Sequence, residues 1–219
     1  MGNEKKKKRK NIRRTSFDQM RDDDARAFST KRRDVDDSDR AMTLNEQRKK
    51  KIKETVEKFK DYSVPSMTCD EAIAATKSSD DDKKIVFVDC REKEERDVSA
   101  IPNAMTVAEL ERDAKDIANE KKICACYCTV GFRSQQLVKR LRKEYPDLDS
   151  RNLEGSIVMW THTNDATLVK ANEENNSTEQ TKNVHVYGST WDLARDDYYP
   201  IVHKVPLFNA IKAFLFSRK

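Results

Sequence analysis

The stretch that decides the fold runs from residue 123 to residue 141 and reads ICACYCTVGFRSQQLVKRL. Its first part, Ile123 to Tyr127, is a continuous apolar run, which is typical of a strand buried on both faces of a parallel sheet. Its last part places Leu137 and Leu141 on one face of a helix. The loop between these two parts is short and begins with Cys128. The pattern therefore predicts a strand, a tight turn and a helix in succession.

The flanking sequence repeats this alternation of strands and helices. A second continuous apolar run, Ile85 to Val88, predicts another buried strand. Three capping boxes, in which a threonine precedes a glutamate by three positions, predict helix starts; they are Thr43 with Glu46, Thr68 with Glu71, and Thr106 with Glu109. The last of these helices is predicted to reach about Asn119. Together the elements indicate an α/β fold with a parallel sheet.

The composition excludes several classes of protein. The 219 residues include only four glycines, too few and too scattered for a dinucleotide-binding fingerprint or a Walker-type phosphate loop. The start has no apolar signal-peptide region and no apolar run is long enough to span a membrane, so we expect a cytoplasmic protein without a transmembrane segment. The five cysteines are then expected to be reduced. Neither cysteines nor histidines have zinc-site spacing, so no metal and no cofactor are predicted.

Positive charge is concentrated at the N-terminus. Residues 1–60 carry 21 Lys and Arg against 12 Asp and Glu, a net +9 in a chain of net +5, so residues 61–219 carry −4. Residues 1–42 have few apolar side chains and are predicted to be disordered. Such a basic tail suits a nuclear address or an anionic partner, either nucleic acid or a membrane surface, although a simply solvated tail is an equal alternative.

Four regions follow from these patterns. They are a charged tail (1–42), a basic helix or linker (43–62), the α/β domain (63–163), and a polar loop with a C-terminal extension (164–219). In the last region, residues 164–183 are predicted to be a polar surface loop, and Val184 to Tyr187 a short strand. Residues 205–219 predict an amphipathic terminal helix that docks onto the domain, a partner or a membrane surface.

The loop after the Ile123 strand carries the candidate chemistry. Ligands bind at the C-terminal edge of an open α/β sheet, where the next helix offers free N–H groups and the positive end of its dipole. Cys128 lies there, and such surroundings lower the pKa of a cysteine and make it nucleophilic. The five residues after Cys128 (Thr129–Arg133) are called the cradle loop. Gly131 within it allows the loop to curl around the sulfur. Arg133 either lends charge or braces the loop against a carboxylate.

Residues from about 64 to 160 resemble a rhodanese domain. The resemblance rests on four blocks in the family's order; they are Val88–Glu92, Ile101–Ala104, Tyr127–Ser134, and Asn152–Ser156 with Trp160. It implies a five-stranded parallel sheet flanked by helices, and a sulfurtransferase that moves sulfur from a small donor to a thiol or cyanide without a cofactor. Carried over residue by residue, Cys128 is the persulfide-forming nucleophile, and the substrate-binding loop consists of Thr129, Val130, Gly131, Phe132 and Arg133.

Two departures and one spacing qualify the resemblance. Ala100 stands where the family usually has histidine, and Asn103 where it commonly has glycine. Related phosphatases of this fold place five residues between cysteine and arginine, whereas four separate Cys128 from Arg133, which favours sulfur over phosphate. A catalytically quiet interaction module that uses the fold as a scaffold remains an alternative, and cysteine-dependent phosphatase or arsenate reductase chemistry a weaker third.

The other cysteines and two charged residues have competing interpretations. Cys124 and Cys126 are predicted to be core residues, because their strand is buried on both sides. Cys90 follows the Ile85 strand; packing in the core is the better prediction, and a position near Cys128 as a resolving thiol is the alternative. Asp89 and Arg91 are auxiliary candidates, either catalytic or, as the better prediction, an ion pair that braces the loop.

Overall fold

The computed structural model of the chain describes residues 42–78, 84–172 and 177–202. The predicted disordered tail up to residue 41 and the predicted amphipathic helix at 205–219 lie outside the described residues. None of the helices described there is long and apolar enough to cross a lipid bilayer.

Helices and strands alternate through the first two thirds of the described chain, as the sequence predicts. The α-helices are α1 (Leu44–Phe59), α2 (Cys69–Lys77), α3 (Lys93–Arg96), α4 (Val107–Asn119), α5 (Phe132–Glu144) and α6 (Ser156–Trp160). The strands are β1 (Ser66–Met67), β2 (Ile85–Asp89), β3 (Met105–Thr106), β4 (Ile123–Tyr127), β5 (Ser150–Leu153), β6 (Leu168–Asn172), β7 (Ser177–Thr181), β8 (Asn183–His185) and β9 (Tyr199–Ile201).

Five strands form one parallel sheet in the order β1-β5-β4-β2-β3. This confirms the predicted five-stranded α/β fold. Strand β4 lies in the middle, and its alternate side chains enter two different core clusters: Ala125 and Tyr127 one, Cys124 and Cys126 the other. A strand with apolar neighbours on both faces gains nothing from polar alternation, which is why its sequence is continuously apolar.

Helix α1 begins at a complete capping box, in which the Thr43 side chain accepts from the Glu46 N–H and the Glu46 carboxylate accepts from the Thr43 N–H. Its exposed side is highly basic, but Ile52 and Val56 are buried. Both belong to the same core cluster as Tyr127. The segment predicted as a basic helix or linker therefore contributes to the core of the α/β domain.

The prediction of a polar surface loop over residues 164–183 is wrong. Strands β6 and β7 form an antiparallel ribbon in this segment, with Leu168 opposite Thr181. Leu168 is buried, and Val169 makes two backbone hydrogen bonds to Ala100 of the main domain. Polar composition misled the prediction, because a two-stranded ribbon needs only one apolar side and can expose polar residues on the other.

The chain after the ribbon returns to the domain. The predicted strand near Val184 is present as β8, which pairs in parallel with β9. Val184 and Val186 are buried in the same cluster as Tyr127, and His185 between them is also fully buried. The C-terminal extension thus contributes buried residues to the domain's interior as far as Tyr198, while Tyr199 and Val202 are exposed.

Asn103 explains how one departure from the family pattern is tolerated. Its φ angle is +59°, in the left-handed region that glycine adopts most easily. Asparagine is among the few other residues found there regularly, because its short side chain can hydrogen-bond locally. The turn after Pro102 therefore holds an asparagine in a conformation that glycine also adopts.

Candidate active site

Cys128 is the first residue after β4, at the C-terminal edge of the sheet. Its side chain is almost completely buried, with 1% of its surface exposed. The Cys128 N–H donates to Ser156 Oγ at 3.1 Å, and the Cys128 carbonyl accepts from the Ile157 N–H at 3.3 Å. Because Gly155 takes a left-handed φ of +68°, the chain turns sharply from β5 into α6 and brings these groups to the backbone of Cys128.

Hydrogen-bond donors surround the Cys128 sulfur. The Gly131 N–H donates to Sγ at 3.2 Å, and Ser134 contributes a backbone N–H and a hydroxyl whose Oγ lies 3.7 Å away. Gly131 has φ +113°, which other residues rarely adopt, so the curl of the cradle loop depends on glycine. These N–H groups are the unpaired donors that open helix α5. The loop and the helix terminus together form a nest for a negative charge.

The pKa of Cys128 reflects two opposing influences. Burial raises it, because a charge is poorly solvated in the protein interior. Acting the other way are a hydrogen bond from the Cys90 thiol, the charge of Arg133, and the N–H groups of Ser134 and Gly131. The second set outweighs the first and holds the pKa of Cys128 well below that of an ordinary cysteine. These contacts therefore favour the thiolate form of the sulfur.

Cys90 lies beside Cys128 and differs from it in ionisation. Its hydrogen bond to the Cys128 sulfur and its burial raise the pKa of Cys90 well above the ordinary value, so it remains a neutral thiol. A second acceptor is also within its reach, since Cys90 Sγ lies 3.1 Å from the Tyr127 carbonyl oxygen. The side chain is half-buried rather than enclosed in the core.

Arg133 is anchored by a buried carboxylate. Both of its terminal nitrogens donate to Glu95, at 2.6 and 2.8 Å, and Nη2 also lies 3.2 Å from Thr129 Oγ1. Glu95 is fully buried; burial raises its pKa, but the Arg133 hydrogen bonds and His185 lower it more, so the carboxylate stays ionised. Thr129 and Arg133, at the two ends of the cradle loop, thus both bind Glu95. Arg133 braces the loop, and its charge lowers the pKa of Cys128.

Residues from both ends of the described chain support this brace. The Nδ1 atom of buried His185 lies 3.4 Å from Glu95 Oε1. The ring of Tyr187 lies against the Arg133 guanidinium, with 5.5 Å from its centre to the guanidinium carbon. On the other side, the rings of Phe59 and Phe132 meet edge to face at 5.6 Å. Helix α1 and the C-terminal extension therefore both contact the cradle loop or its anchor.

Asp89 and Arg91 form a second buried ion pair near the same edge. The Arg91 guanidinium donates to both Asp89 oxygens at 2.7–3.2 Å and to the Ser99 carbonyl at 2.6 Å. It also lies over the Tyr127 ring, 5.5 Å from its centre. These contacts fix the end of β2 and the segment that follows α3. The arrangement supports a bracing role for the pair, which is the better of its two sequence-based interpretations.

Residues 72–163 match the sequence model of the rhodanese-like domain. A rhodanese-like domain protein from Staphylococcus aureus is 30% identical over 44% of this chain and 91% of its own length, with a TM-score of 0.36. Residues 72–163 of the chain belong to the rhodanese-like family.

Two other solved structures are similar to this rhodanese-like chain. A thiosulfate sulfurtransferase from Pseudomonas aeruginosa is 20% identical over 60% of this chain, with a TM-score of 0.41, and the chain spans only 23% of that protein. A protein of unknown function from Rhodopseudomonas palustris, described as a possible tyrosine phosphatase, is 23% identical over 56% of this chain and 91% of its own, with a TM-score of 0.37. The comparison with curated proteins gives no significant match.

The rhodanese-like loop residues predicted from the sequence lie together, but they have different surroundings. Gly131 reaches the sulfur through its N–H, and Thr129 and Arg133 bind Glu95. Val130 packs in the core, and Phe132 is half-buried against Phe59. The side chains of Val130 and Phe132 therefore shape the loop by packing and are not among the hydrogen-bond donors around the Cys128 sulfur.

Sequence reasoning missed several contributors to the site, and they share one property: each is polar or aromatic and acts through contacts distant in sequence. They are Glu95, Asn152, Ser156, His185 and Tyr187. Glu95 sits in a run of charged residues, where nothing marks it as the buried one. His185 gave a weak signal, since a histidine inside an apolar strand needs a polar partner.

Proposed function

We propose that the chain is a sulfurtransferase in which Cys128 carries sulfur as a persulfide. One observation carries the proposal: a buried cysteine with a lowered pKa, bound by the N–H groups of Gly131 in the cradle loop and Ser134 in α5. A thiolate is the nucleophile required for attack on a sulfane sulfur. The same donors suit the persulfide, whose outer sulfur carries the negative charge after the donor has left.

The reaction takes two displacements. The Cys128 thiolate attacks the transferable sulfur of the donor, the donor's own bond to that sulfur breaks, and its electron pair leaves with the remainder of the donor. An acceptor nucleophile, either cyanide or a thiolate, then attacks the outer sulfur of the persulfide. Cys128 leaves as a thiolate, stabilised by the N–H groups of Gly131 and Ser134.

The charge balance of the loop supports sulfur transfer over phosphate transfer. Arg133 keeps its charge beside Cys128 but is paired with Glu95, so the two charges sum to zero, and Thr129 and Val130 carry no charge. The loop therefore presents N–H dipoles and little net positive charge, which matches a singly charged persulfide better than a phosphate dianion. We expect a less charged donor such as mercaptopyruvate to be preferred over thiosulfate for the same reason.

Thiocyanate formation tests the proposal. The full chain is incubated with mercaptopyruvate or thiosulfate and excess cyanide, alongside Cys128→Ser and the control Cys126→Ala. The wild type and Cys126→Ala should form thiocyanate at similar rates, because Cys126 is enclosed in the core. Cys128→Ser should be inactive, since serine cannot form a persulfide. A wild type that forms no thiocyanate with either donor, although its Cys128 alkylates readily, would contradict the proposal in favour of an interaction module.

A further inference from the structure

Cys90 and Cys128 end neighbouring strands in register. In the parallel pairing of β2 with β4, Val88 lies opposite Cys126 and Asp89 opposite Tyr127. One residue further, the pattern places Cys90 opposite Cys128, and the Cys90 N–H still donates to the Tyr127 carbonyl at 3.1 Å. The two cysteine backbones are therefore held side by side where the sheet ends.

This separation suits a disulfide. Neighbouring strands lie about 4.8 Å apart, and disulfides join Cα atoms about 4.4–6.8 Å apart. The Cys90 thiol lies near enough to the Cys128 sulfur to lower its pKa, and its hydrogen bond to the Tyr127 carbonyl oxygen at 3.1 Å holds it at the same end of the sheet. A bond between them would need no rearrangement of the strands.

The remaining cysteines differ from Cys90. Cys124 and Cys126 are enclosed in the core cluster on one face of the sheet, and Cys69 in the cluster on the other. Cys90 is half-buried at the edge that carries the nucleophile. Its thiol thus combines contact with Cys128 and a position at the site, a combination that simple core packing does not require.

We propose that Cys90 is a resolving thiol, which attacks the Cys128 persulfide and releases its outer sulfur as sulfide. This inference rests on the proposed sulfurtransferase function, and it adds an activity to it: sulfide release without an external acceptor. The partner implied is a dithiol reductant, which returns the enzyme to its starting state.

The step is balanced within the protein and its bound sulfur. Cys90 Sγ forms a bond to Cys128 Sγ, and the bond between Cys128 Sγ and the outer sulfur breaks. The outer sulfur leaves with the bonding electrons and takes the proton of Cys90, so a persulfide anion and a thiol become a disulfide and hydrosulfide. The outer sulfur is reduced and the Cys90 sulfur is oxidised, so no further oxidant takes part. A dithiol then reduces the disulfide by exchange and is itself oxidised.

The experiment follows a single loaded turnover in the full chain. The reduced wild type, Cys90→Ser and the control Cys124→Ala are loaded with mercaptopyruvate and desalted under anaerobic conditions, without any acceptor. Intact mass is followed over time, and free sulfide is trapped with a bimane reagent. Serine keeps a hydrogen-bond donor at position 90 and removes only the attacking sulfur, so retained loading of Cys90→Ser also shows an intact site.

In the wild type and in Cys124→Ala, the species with one added sulfur should decay as sulfide appears in equal amount. A species that lacks two hydrogens should replace it, with Cys90 and Cys128 joined in the same peptide pair. In Cys90→Ser the adduct should last more than about tenfold longer, because an intramolecular attack is far faster than an external one. Equal lifetimes, or decay without the disulfide, would overturn the resolving role and leave sulfur transfer standing. Absence of the adduct in all three proteins would overturn both proposals.

Discussion

Cys126 and Cys128 lie two residues apart on one strand and its extension, and both are almost fully buried, with 0% and 1% of their surfaces exposed. Burial raises the pKa of Cys126 well above the ordinary value, and that of neighbouring Cys124 to about 12. The pKa of Cys128 is instead well below the ordinary value. Equal burial thus accompanies opposite shifts in pKa.

The difference lies in what the backbone offers at each position. Within β4, the backbone groups around Cys126 pair with β2 and β5. Cys128 is the first residue beyond the strand, where the N–H groups of the loop and of α5 have no partner in the sheet and can bind the sulfur. The end of a parallel strand before a helix is therefore the place where a buried thiol becomes a thiolate.

Replacing Arg133 should have the largest effect on the pKa of Cys128 and should raise it towards that of Cys126. Arg133→Met removes the charge that favours the thiolate, so the pKa of Cys128 should rise and turnover at neutral pH should fall by about a hundredfold. Arg133→Lys keeps the charge and loses the paired contact with Glu95, so it should retain a lower pKa. The pH profile of thiocyanate formation measures both effects.

Stability provides the control for this pair. Arg133→Met leaves Glu95 buried and unpaired, which should cost about 3 kcal/mol of the free energy of unfolding. Combining it with Glu95→Gln should recover much of that loss without restoring the low pKa. If Cys128 kept its low pKa in the double variant, the charge of Arg133 would not be a cause of it.

Two substitutions at Cys90 sharpen the comparison further. Cys90→Ala removes the hydrogen bond that lowers the pKa of Cys128, so that pKa should rise, whereas Cys90→Ser should change it little. The Cys128 pKa, measured from the pH dependence of alkylation, should rise by about one unit in the alanine variant only, which corresponds to one lost charge-assisted hydrogen bond of about 1.5 kcal/mol. Equal pKa values in the two variants would remove Cys90 as a cause of the low pKa.

The smallest effect is expected at Tyr187. Tyr187→Leu removes the ring that lies against Arg133, which should lower the free energy of unfolding by about 0.5–1 kcal/mol and reduce turnover less than about threefold. Tyr62→Leu is the matched control, because the Tyr62 ring meets Lys60 at 5.4 Å but is 75% exposed. Urea unfolding compares them, and equal losses would show that the Tyr187 contact does not hold the brace.

The sequence predicted β2 and β4 within the sheet because their signals are local, whereas the five-stranded sheet was implied by the resemblance to the rhodanese domain. Continuous apolar runs marked β2 and β4, and capping boxes marked the starts of α1, α2 and α4. The ribbon β6–β7 was missed because its pairing joins two polar segments across a turn. Pairing of that kind depends on backbone hydrogen bonds and on contact with Ala100, neither of which composition reveals.

The candidate site was predictable only in its local part. The order of strand, cysteine, glycine and arginine pointed to Cys128 and the cradle loop, since all of these lie within eleven residues of sequence. Glu95 and His185 lie 38 residues before and 52 after Arg133, and only the fold brings them to it. Cys90 is intermediate: its strand was predicted, but its register with β4 was not.

The most direct test of the contrast between Cys126 and Cys128 is the pH dependence of alkylation of the native wild type by iodoacetamide, with each cysteine resolved by peptide mass spectrometry. A lowered pKa keeps the thiolate populated above the folded-state pKa. The rate at Cys128 should therefore rise and level off with a midpoint well below about 8.5, the ordinary value. Cys126 should react only after denaturation. A Cys128 midpoint at or above the ordinary value, or labelling of both cysteines together, would contradict the account.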